Sequence, residues 1–174
     1  MKLLIKTAVT LLGLLAAVLS FSQTTDNLCK QKMKQLDFMI GKWTGGGWMI
    51  NQDRTRSEFL QEEVIESDLN GTVLVIHGKG WDQDQKPIHH AFGIISYNLE
   101  EEKYNMLAFL EDGKQTKANL EIIEDGKIKW WFEAGNGTIK YTITYTNNAW
   151  NEKGEFSPNG EVWFPFIEFN LNRQ

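Results

Sequence analysis

The sequence predicts an all-β fold: a single antiparallel up-and-down β-barrel of about ten strands, preceded by one short helix. Three observations carry that expectation. Nine turn signals between residues 51 and 160 cut the chain into ten short runs of strand character. No helix-period apolar run interrupts them. Ten is an even number, so the first and last strands run antiparallel and can pair. That pairing closes the sheet and removes the exposed edges an open sheet of this width would present.

Lys2 and Lys6 make a basic start, and Thr7 to Phe21 form an apolar stretch too short to span a bilayer. Ser20 and Ser22 are small residues placed for cleavage after Ser22. Residues 1–22 are therefore expected to be a signal peptide, and residues 23–174 one exported domain, periplasmic or extracellular, with no membrane span of its own. Asp26 can cap a short helix running to about Gln35, with Leu28, Leu36, Met39 and Ile40 as its apolar side.

Strands begin after Gly41. The turns fall at 51–53, Asn70-Gly71, 82–85, 98–102, Asp112-Gly113, Asp125-Gly126, Asn136-Gly137, Asn147-Asn148 and 158–160. Asn-Gly and Asp-Gly are strong hairpin signals because these residues tolerate positive φ. The register tests the meander. A turn at Asn136-Gly137 pairs Ala134 with Ile139, Phe132 with Tyr141 and Trp130 with Ile143. A loop 124–126 pairs Ile122 with Ile128 and Leu120 with Trp130. A loop 111–113 pairs Met106 with Ala118 and Tyr104 with Leu120. Apolar faces apolar throughout, and a one-residue slip would reverse every side chain. Pro165, inside the last strand, cannot donate a ladder hydrogen bond, so a bulge or imperfect closure is expected there.

Strand number sets the size. Ten strands about 4.8 Å apart and tilted by about 40° give a backbone radius near ~10 Å. Side chains reaching about 5–6 Å inward leave a central void, whereas eight strands fill themselves.

Composition narrows the partners. The formal net charge is −5, and loss of residues 1–22 removes two lysines more. Arg54, Arg56 and Arg173 are the only arginines, and there is no basic stripe for phosphates. Nucleic acid and an anionic membrane surface are disfavoured. Cys29 is the single cysteine, so no internal disulfide forms and a surface thiol is expected. No nucleophile elbow, paired-cysteine motif, zinc-protease helix or phosphate loop occurs, so no catalytic residues and no metal are assigned. Glu58, Glu62, Glu63 and Glu66 on the second strand, and Glu100 to Glu102 in a loop, read as solvated surface.

The three histidines lie on one hairpin. A four-residue loop would pair His77 with His90, which is too few ligands for a metal site. Pairing Tyr97 with Tyr104 turns His89, Ala91, Gly93, Ile95 and Tyr97 inward. The candidate lumen residues are then His89, Tyr97, Tyr104, Met106, Trp130, Phe132, Tyr141 and Tyr145. The aromatics suit a flat apolar ligand, or they form the plain inner layer of a barrel.

Gly41-Lys42-Trp43-Thr44-Gly45-Gly46-Gly47 resembles the Gly-x-Trp opening of calycin barrels and, more distantly, of nitrobindin-type barrels. With Leu36 to Trp43, His89, Ile94 to Asn98, Gly154 to Ser157 and Phe169 to Arg173, the whole resembles an uncharacterised family of secreted bacterial lipocalin-like domains. The resemblance implies a helix closing one barrel end. It also implies a structural floor in which an arginine from the last strand, here Arg173, lies against the motif tryptophan, here Trp43. Nitrobindin-like barrels bind haem through a histidine near the C-terminal strand, but residues 166–174 contain none.

The reading is an exported barrel of uncharacterised function, without an assigned cofactor, that binds a small apolar or aromatic molecule in its lumen. Two alternatives remain: a haem-binding or haem-dependent barrel using His89, and a protein-interaction barrel whose outer face presents Trp131 and Trp163.

Overall fold

The computed structural model describes residues 28–174. The predicted signal peptide and Asp26 lie outside the described residues. A helix, α1, covers residues 28–34, and a short 3-10 turn follows at Asp37–Met39. Ten strands come next: β1 (Gly41–Ile50), β2 (Arg56–Asp68), β3 (Val73–Trp81), β4 (Pro87–Asn98), β5 (Lys103–Leu110), β6 (Gln115–Glu124), β7 (Lys127–Ala134), β8 (Gly137–Thr146), β9 (Ala149–Ser157) and β10 (Phe164–Arg173). Each strand pairs antiparallel with its sequence neighbours, and β1 pairs with β10, so the sheet is a closed up-and-down barrel.

Closure follows from the first and last strands. Trp43 pairs with Arg173 and Met49 with Ile167. Gly45 and Gly47 permit the tight approach of β10: a Cβ on either would lie 2.0 Å from a β10 carbonyl oxygen. The Pro165 problem is solved locally. Pro165 pairs with Glu155 and Ile167 with Gly154, so the register shifts by one residue between them. That is a β-bulge, and it absorbs the missing donor without opening the seam.

Two hairpins differ from expectation. The β7–β8 turn is Gly135-Asn136, not Asn136-Gly137. Ala134 pairs with Gly137, Phe132 with Ile139, Trp130 with Tyr141 and Ile128 with Ile143. Gly135 takes φ +61° while Asn136 keeps an ordinary φ, the pattern in which glycine leads a two-residue turn. The shift is two residues, so every side chain keeps its face. At β3–β4, His77 pairs with Phe92 and His90 with Lys79. The expected His77–His90 pair is absent because Asp82 and Lys86 close the loop and the register slips beside Gly80. The pairings Tyr97–Tyr104, Met106–Ala118, Tyr104–Leu120, Leu120–Trp130 and Ile122–Ile128 are as expected.

The apolar side of α1 also needs correction. Met33 and Leu36 are buried and Leu28 is exposed. Met33 sits where an i, i+3 neighbour of Leu36 should, and Leu28 lies beyond the barrel rim. The outer wall carries ion pairs, including Lys42–Glu62 at 2.7 Å, Lys129–Glu121 at 2.8 Å and Lys140–Glu155 at 3.1 Å. No helix among the described residues is long and apolar enough to cross a membrane.

Candidate functional site: the barrel lumen

The two ends of the lumen are built differently. At the end covered by α1, β1 delivers Trp43 to the floor, where only 1 % of it is exposed. Its indole Nε1 donates to the Met39 carbonyl at 2.8 Å. The Arg173 guanidinium lies 4.2 Å from the centre of the Trp43 ring. It donates to the Phe38 carbonyl at 2.7 Å and to the Ile40 carbonyl. One side chain thus ties the last strand to the chain entering the first, and the cation rests on an aromatic face. Tyr145 fills the space between, with ring centres 4.7 Å from Phe38, 5.4 Å from Trp43 and 5.0 Å from Trp150.

Beyond this floor the barrel is hollow. A cavity of about 300 Å³ runs toward the opposite mouth. Its walls are unequal. On β7 and β8, Trp130 stacks on Tyr141 with centres 4.0 Å apart and planes 5° apart, and on Phe132 at 6.0 Å and 16°. This makes a continuous aromatic face. Around the rest of the wall, β3 to β5 present Gly78, Ala91, Gly93 and Ala108, with Gly78, on β3, five strands from β8 in the ring of ten. Small residues around a ring stack leave a slot, and the missing side-chain volume is what keeps it open.

Of the expected lumen residues, His89, Met106, Trp130, Phe132 and Tyr141 line this cavity. Tyr97, Tyr104 and Tyr145 do not. Tyr104 donates from its hydroxyl to the Lys32 carbonyl at 2.7 Å and packs edge-on against Tyr97 at 5.0 Å. Cys29 Sγ lies 3.8 Å from the Tyr97 carbonyl oxygen. These rings face inward, as alternation requires, but they stand at the end that α1 occupies. Sequence alternation fixes a residue's face and not its height along the axis.

His89 stands at the open mouth. Partial desolvation, reinforced by the neighbouring His90, holds its pKa below the usual imidazole value. His77 and His90 point outward, against Phe92 and Glu111 respectively. The outward tryptophans carry lysines on their faces: Lys129 lies 5.1 Å from the Trp131 ring and Lys140 3.8 Å from that of Trp163.

The sequence reading missed the polar part of the lumen. Gln61, Glu63 and Glu152 are buried and line the cavity. Gln61 Nε2 donates to Glu63 Oε1 at 2.6 Å. Trp150 Nε1 donates to Glu152 Oε2 at 3.2 Å. Burial raises the Glu63 carboxyl to about 7 and that of Glu152 to about 8, the latter pushed further by the charge of Glu63. Gly78 and Gly80 provide the room. A Cβ on Gly78 would lie 2.8 Å from Glu63 Oε1, and one on Gly80 2.8 Å from Gln61 Oε1. The signal was present in the sequence: Phe59, Gln61, Glu63 and Ile65 alternate on one face, and glycines inside a strand mark close approach. Glu58 and Glu62 lie on the other face of β2.

No protein-family profile matches the sequence, and no curated protein matches it. Solved structures do match. The barrel superposes on Rv2717c from M. tuberculosis with a TM-score of 0.62 and 13 % identity, over 82 % of this chain and 96 % of that one. It superposes on the S-type phycobiliprotein lyase CPES from Guillardia theta with a TM-score of 0.55 and 10 % identity, over 79 % and 89 %. A designed fluorescence-activating β-barrel aligns with a TM-score of 0.41 and 14 % identity, over 79 % and 95 %. At the identities of the first two, the likeness is one of fold alone, a closed antiparallel β-barrel.

Proposed function

We propose that this protein is an exported carrier or receptor that holds a small, mostly apolar and flat molecule in its lumen. The observation that carries the proposal is the cavity of about 300 Å³, lined by the Trp130–Tyr141–Phe132 stack and kept open by glycines and alanines elsewhere in its wall. That volume stands at the small end of ligand pockets. Stacked rings provide a face for an aromatic body, and the small residues elsewhere in the wall leave room for its thickness. The basic start, apolar stretch and small residues of 1–22 support export. A barrel of this fold that bears the name of a phycobiliprotein lyase is compatible with lumen binding.

Haem fits this lumen poorly. His89 is at the mouth rather than over the slot, the cavity is narrow, and Glu63 and Glu152 stand in the wall without a lysine or arginine among the described lining residues. The two carboxylates of a porphyrin would find no cationic partner in this lining.

Native mass spectrometry of the protein recovered from the exported fraction of its own host tests the reading. The expected result is a chain beginning at Gln23 together with a bound species of low mass. A chain that carries nothing, and that also fails to bind any naphthalene-sized probe, would refute it.

A further inference from the structure

The carboxylates deepen the reading above, on which this inference rests. An apolar chamber has no structural need for two acids. Desolvating a carboxylate is costly unless the group is paired. Glu63 receives one hydrogen bond from Gln61, and Glu152 accepts from the indole N–H groups of Trp130 and Trp150. Neither has a cation: among the described residues lining the cavity there is no lysine or arginine. The Tyr145 hydroxyl, in the floor behind them, is buried with no hydrogen-bond partner among the described residues; burial above all, then Glu152 and Glu63, raises its pKa, and the Arg173 cation opposes them. Buried polar groups in folded proteins are nearly always satisfied. Two buried acids that face the cavity, with no cation in its lining, describe half of a site.

We propose that the ligand is an amine: a flat apolar body lying along Trp130, Phe132 and Tyr141, with a protonated nitrogen held by the carboxylates of Glu63 and Glu152. The ammonium supplies the charge and donors that the wall lacks. The ring faces beside it add a cation–π attraction. In the empty lumen burial favours the protonated form of both acids; an ammonium draws out their ionised form, while an anion of the same shape finds no cation in the lining. Gly78 is part of the device, because any side chain there would displace the Glu63 carboxylate.

Three probes of one size separate the possibilities: naphthylmethylamine, naphthylmethanol and naphthoate, titrated calorimetrically into the whole exported chain. The expected order is amine tightest and carboxylate weakest. The amine should lead the alcohol by about tenfold to about a hundredfold, the worth of a hydrogen bond to a charged group. In a Glu63→Gln, Glu152→Gln double variant, amine and alcohol should bind alike. Both substitutions are near-isosteric and mimic the neutral acid that burial favours, so folding is preserved, and the wild-type order decides the matter even without the variant. An alcohol that binds as well as the amine overturns the amine assignment and leaves the lumen reading standing. An amine preference that survives in the double variant overturns the role of the two acids. No binding by any of the three removes the assignment together with the binding lumen itself.

Discussion

The floor and the slot of this barrel are made from the same residue types and do opposite things. At the floor, Trp43 meets Tyr145 and Trp150 edge to face, with Trp150 closing the near end of the cavity, and Arg173 locks the seam with two carbonyl bonds. In the slot, Trp130, Phe132 and Tyr141 lie parallel, and the lining on β3 to β5 includes Gly78, Ala91, Gly93 and Ala108. Aromatic content alone therefore does not mark a binding site. What distinguishes the two regions is the size of the residues around the rings. The floor carries stability, and the slot is free to carry specificity.

The largest expected effect lies at the floor. Trp43→Ala should cost about 3–5 kcal/mol, the range for truncating a buried aromatic, measured by urea unfolding. Trp130→Ala, at the wall of an existing cavity, should cost clearly less and abolish probe binding. Equal costs at the two sites would erase the contrast.

The acids of the slot give the next effect. In the unfolded chain, Glu63 and Glu152 titrate near the ordinary 4.5; in the fold they keep their protons to about 7 and about 8. Between those limits the native state binds more protons than the unfolded one. Stability is thus full below about pH 4.5 and falls as pH rises, reaching its lowest contribution above about pH 8, by an amount on the order of a few kcal/mol. Unfolding free energies measured across this window should show the decline, and the Glu63→Gln, Glu152→Gln variant should flatten it. A wild-type profile that rises with pH through the window would contradict the burial of the pair.

Arg173→Lys should be milder, about 1–2 kcal/mol, since lysine keeps the charge but loses the planar fork that serves Trp43, Phe38 and Ile40 together. Smallest on stability and large on function is Ala108→Phe. It fills the slot, so melting should be unchanged or raised while naphthylmethanol binding is lost. A haem titration is expected to give no Soret shift attributable to His89.

Much of this architecture was legible because strand parity is robust. The β7–β8 turn lies one residue earlier than the Asn-Gly signal suggested, yet the two-residue register change left Trp130, Phe132 and Tyr141 on the inner face. The Pro165 bulge followed from a missing donor. Height along the axis was not legible: Tyr97, Tyr104 and Tyr145 alternate inward like Tyr141, but α1 and the floor take them. Glu63 was hidden by its own neighbours. Read alone, β2 mixes charge on both faces. Placed opposite Trp43 on β1 and Gly78 on β3, Glu63 can only point inward. Glu152 was missed for the same reason, since its inward position depends on pairing with Phe169.

The most direct test follows the indole N–H signals of the seven tryptophans by NMR as naphthylmethylamine is added. A lumen that binds at the slot predicts large shifts for Trp130 and Trp150 and none for Trp43. Shifts confined to Trp48, Trp131 and Trp163, or no shift in any of the seven, would place binding outside the barrel or nowhere, and the account of a hollow, selective lumen would be wrong.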